Sequence, residues 1–329
     1  MRCTTLADYF KKKGFSVVFI SRYIDKNSLK LLKQNGHSAY VLKNTKKNNL
    51  TQIQDALLTK EILLKQNINF PYLIVDNYTL SKKWETILKK YVYKIIVIDD
   101  MANKKHDCDL LINQNYSVQN MIKKYKKILP KKCNILSGTK YAILRPEFLK
   151  LRKLIKMRVS LNTILISFGG SDPTNETIKI LKAIKNLNLI KIKFIIIAGK
   201  LNSNLEKIKK LTSQINNSDF YSHTNKIEKL MMKSDLSFGG GGTTTWERCC
   251  LGLPSIISIL AVNQKQIVES LSKDNYCINL GQAKKLTVND YENMISNIEI
   301  KKIRKMSSNC KKLVDGKGTN RVINAILSL

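Results

Sequence analysis

The chain has 329 residues, 43% of them hydrophobic, with only 5 Pro and 14 Gly. That is room for two ordinary domains, and too apolar for a disordered, collagen-like or low-complexity protein. Its 58 Lys and Arg against 24 Asp and Glu give a net charge of +34, which first suggests a polyanion as partner. The lysine pairs, however, are scattered from Lys11-Lys12 to Lys311-Lys312, with no local stripe and no interleaved aromatics. Nucleic acid is therefore not an expected partner, whereas a small anionic substrate is easily accommodated.

Alternating apolar runs and helical periodicity fill the chain. An amphipathic helix over Thr4–Lys13 comes first, then short apolar strands at Phe15–Ile20, Tyr72–Val75, Lys94–Ile98 and Leu110–Ile112, with a helix around Trp84, Ile87, Leu88 and Tyr91. After a charged stretch from Leu144-Arg145-Pro146-Glu147 to Arg158 the scheme restarts. It runs strand Thr163–Phe168, helix Thr174–Leu187, strand Lys193–Ala198, helix Leu205–Ile215, strand Asp219–Tyr221 and helix Lys226–Lys233. Strand Leu236–Phe238, a helix from Thr243, strand Ser255–Ile259 and a helix after Asn263 follow. Such alternation predicts an α/β protein of two Rossmann-like, doubly wound domains, residues 1–147 and 155–329. One irregularity stands at the front. A right-handed β-α-β crossover needs a strand ahead of the first helix, usually in a central sheet position, so the first strand of the N-terminal domain is expected to be missing.

Seven cysteines, an odd number without a CxxC, exclude the usual zinc spacings and a disulfide framework. No metal and no cofactor are expected. The run Leu251–Gln264 is too short, and broken by Pro254, for the ~18–20 apolar residues of a membrane span. With no apolar leader at the front, a cytoplasmic protein is expected.

The strongest chemical signal is LSFGGGGTTTWERCCLGLP, residues 236–254, where a strand runs into four glycines (Gly239–Gly242) and Thr243, Thr244 and Thr245 open a helix. Glycines let a ligand approach the backbone, and a helix N-terminus favours an anion. Glu247, one turn in, can accept from ribose hydroxyls. The competing reading is a flexible turn with threonine as helix cap. A second loop, Gly169-Gly170-Ser171-Asp172, also follows a strand and opens a helix; capping by Ser171 or Asp172 explains it equally well taken alone. Two such loops at strand carboxyl ends would converge on one crevice and suit a nucleoside diphosphate. The absence of GxxxxGK[ST] and of GxGxxG argues against a P-loop ATPase and a dinucleotide enzyme.

Asp76-Asn77-Tyr78 and Asp99-Asp100 follow apolar strands in the first half, and either line a crevice or cap the next helix. Asp107-Cys108-Asp109 is formally a DxD but precedes a strand, at the wrong edge for a metal clasp. His37 reads as a surface residue, His106 as a partner of Asp107, and His223 as a strand end; none has a nucleophile partner for a hydrolytic triad.

Together MRCTTLADYFKKKGFSVVFISR, VDNYTLSKKWE, VIDDMANKKHDCDLLINQN, KYAILRPEF, ISFGGSDPTN, GGGGTTTWERCCLGLP and AVNQ resemble the UDP-2,4-diacetamido-2,4,6-trideoxy-β-L-altropyranose hydrolases of pseudaminic acid biosynthesis. The resemblance implies a glycosyltransferase-B-like fold and metal-independent hydrolysis of the sugar C1–O bond with release of UDP. It implies that Gly169, Gly170, Ser171, Asp172, Gly241, Gly242, Thr243 and Thr244 hold the pyrophosphate. Glu247 would bind ribose, and His223 and Thr224 would read uracil. Tyr78 and Asn263 would serve catalysis, with Arg2, Asp76 and Gln264 on the sugar side. In that family a strand and a glycine loop bearing the general-base His precede MRC, so both are expected to be absent here, with Asp76 the first substitute as base. Two alternatives stand beside hydrolysis: a B-fold glycosyltransferase using the same UDP site, and a non-catalytic UDP-sugar binder.

Overall fold

A computed structural model describes residues 1–42, 50–66, 70–116 and 120–329. They form two compact units, Met1–Ile143 with Lys317–Leu329, and Leu144–Gly316. Among the described residues no helix is long and apolar enough to cross a membrane.

The first unit runs α1 (Arg2–Lys12), β1 (Val18–Ser21), α2 (Lys26–Gln34), β2 (Ser38–Val41), α3 (Gln52–Lys65), β3 (Phe70–Val75) and α4 (Lys82–Leu88). It continues with β4 (Val92–Ile98), β5 (Leu110–Asn113), α5 (Asn120–Ile128) and β6 (Asn134–Ser137). Local chemistry sets the ends: Asp25 caps α2, and Thr51 with Gln54 forms a capping box on α3. Strands β3-β4-β5-β6 form one parallel sheet, and β1-β2 a separate parallel pair. Alternation along the strands divides the core between two faces. Ile95, Val97 and Leu111 pack with Leu63, Trp84 and Leu88, while Ile96, Ile98 and Ile112 pack with Leu6 and Phe10.

The C-terminal helix α14 (Gly318–Leu327) belongs to this unit, so the expected 155–329 division gives way at its end. Its Val322, Ile323 and Ile326 join Leu6 and Phe10. Gly318 lies so close to Ala142 that a Cβ would meet the Ala142 carbonyl oxygen at 2.3 Å. A chain return of this kind has no local signature. Two histidine readings also change. His37 is buried against Asp8 at 2.8 Å rather than at the surface, and His106 pairs with Glu85 at 2.6 Å rather than with Asp107. Both partners come from helices distant in sequence.

The second unit runs α6 (Pro146–Arg152), β7 (Thr163–Ser167), α7 (Glu176–Leu187), β8 (Lys193–Ile197), α8 (Leu205–Thr212), β9 (Ser218–Tyr221) and α9 (Ile227–Lys233). Then come β10 (Leu236–Gly240), α10 (Thr244–Cys250), β11 (Ser255–Ile259), α11 (Val262–Lys273), β12 (Ile278–Gln282), α12 (Val288–Ser296) and α13 (Ile300–Leu313). Six parallel strands lie in the order β12-β11-β10-β7-β8-β9. The chain winds outward from β7 through β8 and β9, then returns beside β7 with β10. The topological switch, where ligands bind in open α/β sheets, therefore falls between β7 and β10. Arg158, 6% exposed, knits the segment before β7 to this unit by donating to the carbonyls of Met231, Ser234, Leu251 and Gly252.

Candidate functional site

Both glycine loops of the second unit leave the switch point. Ser167 pairs with Gly239 across β7 and β10, so the 169–172 loop and the 240–244 loop emerge side by side. Their glycines have different reasons to be glycine. A Cβ on Gly239 would meet the Ser167 carbonyl oxygen and Arg248 at 2.5 Å, and one on Gly241 would meet Val268 at 2.4 Å. These two are fixed by packing. Gly169 (φ +90°) and Gly170 face open space, and Gly242 has only Gln264 at 3.8 Å. The surface free for a ligand is thus Gly169, Gly170, exposed Ser171, Gly242 and exposed Thr243.

Two of the expected ligand-binding residues also hold the loops in shape. Asp172 is 3% exposed at φ +42°, and its carboxylate accepts from the Glu176 and Thr177 amides at 2.9 Å, capping α7. An anion so placed supports the loop from within. The Gln264 Oε1 accepts from the Gly241 amide and the Leu260 amide, both at 3.1 Å, and holds the second loop. Neighbouring Asn263 is exposed. No side chain caps α10 at Thr243, which leaves the helix start open to an outside acceptor.

One turn into α10, burial pushes the Glu247 carboxyl up to about 7, with the Arg145 and Arg248 cations pulling the other way. Arg145 ties this acid to the β9 end: it pairs with Glu228 at 2.8 Å and donates to the Asn225 carbonyl at 3.1 Å. His223 Nε2 lies 2.8 Å from the Asn225 side chain, and Thr224 accepts from the Lys226 amide at 3.0 Å. Glu247, Arg145, Glu228 and the 223–225 loop are therefore one neighbourhood. Sequence reasoning missed Arg145 and Glu228 as site residues; the only signal was Arg145 within the KYAILRPEF match. Beneath the loops Tyr291 donates to buried Glu176 at 2.6 Å and meets Ser258 at 2.8 Å, fixing the floor.

The first unit gathers polar residues at the carboxyl ends of β3, β4 and β5. Arg2 makes a bidentate pair with Asp76 (2.7 and 2.8 Å) and a second pair with Asp100 at 2.9 Å. Tyr78 donates to Asp100 at 2.9 Å, Asn115 donates to it at 3.1 Å, and the Cys3 thiol donates to Asp76 at 3.2 Å. Burial alone would raise the Asp76 carboxyl, but the Arg2 hydrogen bonds and charge hold it below the usual range. Burial and then the Asp100 charge push Tyr78 up to about 12. Arg2, Asp76 and Tyr78 are thus brought together, and Asp100 is their hub. Among the described residues no group of three or more His, Cys, Asp or Glu could hold a metal ion.

Residues 163–318 match the glycosyltransferase family 28 C-terminal domain. Both glycine loops and Glu247 lie inside that family 28 stretch. The chain is also similar to the UDP-2,4-diacetamido-2,4,6-trideoxy-beta-L-altropyranose hydrolase of Campylobacter jejuni, 30% identical over 174 residues, 53% of this chain and 60% of that protein. It is 25% identical over 191 residues to the spore coat polysaccharide biosynthesis protein SpsG of Bacillus subtilis, 57% of this chain and 56% of that one. The chain spans little more than half the length of these relatives. Among solved structures, MurG of Acinetobacter baumannii superposes with a TM-score of 0.67 at 11% identity, covering 100% of this chain and 95% of that one. The UDP-GlcNAc 2-epimerase of Neisseria meningitidis, bound to UDP-GlcNAc, gives 0.67 at 14% identity, covering 100% and 98%. With the family 28 match, these establish two Rossmann-like units of the glycosyltransferase-B kind.

Proposed function

We propose that the protein processes a UDP-sugar, with UDP held by the second unit, and that its reaction is hydrolysis of the sugar C1–O bond. The observation that carries the reading is the pair of neighbouring loops at the switch point: Gly169, Gly170, Gly242 and Thr243 free for close approach, an uncapped α10, and Glu247 one turn further. Backbone amides there would take the diphosphate oxygens, and Glu247 would accept from ribose. The name of the Campylobacter relative supports the UDP-sugar and the use of water. In this reaction the oxygen of water bonds to C1, the C1–O bond breaks, UDP leaves with the electron pair, and the proton of water goes to a base. The diphosphate is already a good leaving group, so orientation and charge stabilisation do most of the work.

The first-unit cluster favours a second reading as well. Asp76 is held low by Arg2, and Tyr78 stands at about 12; neither is a base poised near neutral pH. A UDP-sugar binder without turnover is therefore the second reading that these two groups support. One experiment separates the cases: calorimetric titration with UDP, then incubation with the UDP-sugar and assay of UDP and free sugar. Binding with release of both supports hydrolysis, binding without release supports the non-catalytic reading, and UDP release only with an added acceptor points to glycosyl transfer. No UDP binding would overturn the proposal.

A further inference from the structure

Arg248 is a buried cation directly under the second glycine loop. It lies on α10, 1% exposed, one residue beyond Glu247. Its side chain turns back beneath the end of β10, where Nη2 donates to the Gly240 carbonyl at 2.6 Å and to the Thr245 hydroxyl at 3.0 Å. The guanidinium fills the space that a Cβ on Gly239 would need, with Nη1 2.5 Å from that position. The Gly240–Gly241 peptide is thereby held at both ends, its carbonyl by Arg248 and its amide by the Gln264 Oε1 at 3.1 Å. Gly242 and exposed Thr243 come next along the chain and stay open.

Arginine keeps its charge in proteins, and a buried charge without a counter-charge is costly. Here both acceptors are neutral oxygens, and Nε is buried with no acceptor among the described residues. Burial pulls the guanidinium below its ordinary value, and the carboxyl that acts on it, Glu247, keeps its own proton up to about 7. The other groups that act on it are the Cys249, Cys277 and Cys310 thiols. The protein thus holds a positive charge against the inner side of the loop and leaves it without an anion. We infer that Arg248 is a positioning residue for the diphosphate: it fixes the Gly240–Gly241 peptide and supplies, through the loop, the cation that selects a nucleoside diphosphate over the uncharged nucleoside. The inference rests on UDP being held by the second unit. The diphosphate is then the missing counter-charge, acting across one layer of backbone where the low dielectric leaves the attraction strong. Four glycines in succession keep that layer thin.

Arg248→Met keeps much of the buried volume and removes the charge, a change that buried ionic sites often tolerate. Its UDP affinity, read by calorimetry, should fall by about 10–100-fold, the scale of one charge acting at close range inside a protein. Its uridine affinity, read by displacement of UDP, should stay within about threefold, since the nucleoside brings no charge to the loop. Arg248→Lys restores the charge without the planar fork and should recover most of the lost UDP affinity. The wild-type protein gives a reading that needs no variant. A buried cation is screened little, so UDP affinity should fall less than about tenfold between roughly 0.05 and 0.5 M sodium chloride. A steeper fall would assign the diphosphate to surface lysines and overturn the inference. Equal losses of UDP and uridine affinity, full UDP affinity in Arg248→Met, or no recovery in Arg248→Lys would each overturn it as well. A wild-type protein that binds no UDP would overturn the UDP reading itself and this inference with it, whereas UDP binding with any of the other adverse results removes the role of Arg248 alone.

Discussion

Glu247 shows how a single side chain acquires its behaviour from tertiary surroundings. On α10 its position was legible, but its titration near 7 arises from burial, moderated by Arg145 and Arg248. Replacing it with alanine should weaken UDP binding by about 1–3 kcal/mol, since ribose hydroxyls would lose their acceptor; unchanged affinity by calorimetry removes Glu247 from the site. A second expectation concerns pH. The folded protein keeps the Glu247 proton up to about pH 7, whereas the unfolded chain loses it near the ordinary value of 4.5. The folded state thus binds more protons between those values, and its stability falls as pH rises through that window and then levels off. Glu247→Gln should abolish this fall, gaining roughly 2–3 kcal/mol on wild type between pH 4.5 and 8 in urea titrations. Parallel profiles for the two proteins would show the acid to be unperturbed. Arg158 makes the opposite case: Arg158→Ala removes a guanidinium donor from four buried carbonyls, of which Met231 and Gly252 keep a second donor in the Ser234 amide and the Ser307 hydroxyl. The expected loss is about 3 kcal/mol or more, read from the denaturation midpoint of the second unit.

At the level of elements, the run Gly239–Gly242 divides into glycines needed for packing and a glycine free for a ligand. Gly241→Ala drives a Cβ to 2.4 Å from Val268, an overpacking expected to cost about 1–3 kcal/mol of stability. Gly242→Ala meets nothing closer than 3.8 Å, so stability should stay within about 0.5 kcal/mol while UDP affinity drops. Measured together, thermal melts and UDP titrations should give crossed effects; a Gly242→Ala protein with full affinity would mean that no ligand approaches that backbone. The sequence carried the two glycine loops and their threonines clearly, because turn chemistry is local. It carried the reason for each glycine poorly, since the limiting neighbours, Val268 and Arg248, sit on helices that follow.

Across the whole molecule the two units differ in sheet continuity. The second has six strands in one sheet, while the described residues of the first form sheets of two and four strands. The first unit should therefore unfold at lower denaturant than the second. Each unit holds one of the chain's 2 tryptophans, Trp84 and Trp246, so Trp84→Phe and Trp246→Phe variants report the units separately by fluorescence. Coincident transitions would count against the ranking.

Read alone, the sequence determined the α/β class, most strands within a residue or two, and both glycine loops. All of these follow from periodicity and turn residues, which act over a few positions. It also carried the resemblance on which the UDP-sugar reading rests. Only the tertiary structure decided that α14 returns to the first unit, that His37 and His106 are buried against Asp8 and Glu85, and that Arg2 bridges Asp76 and Asp100. Only there do Asp172 and Gln264 become supports of their loops. Those outcomes depend on groups separated by tens to hundreds of residues. Burial, ion pairing and steric exclusion between such groups leave no periodic trace along the chain.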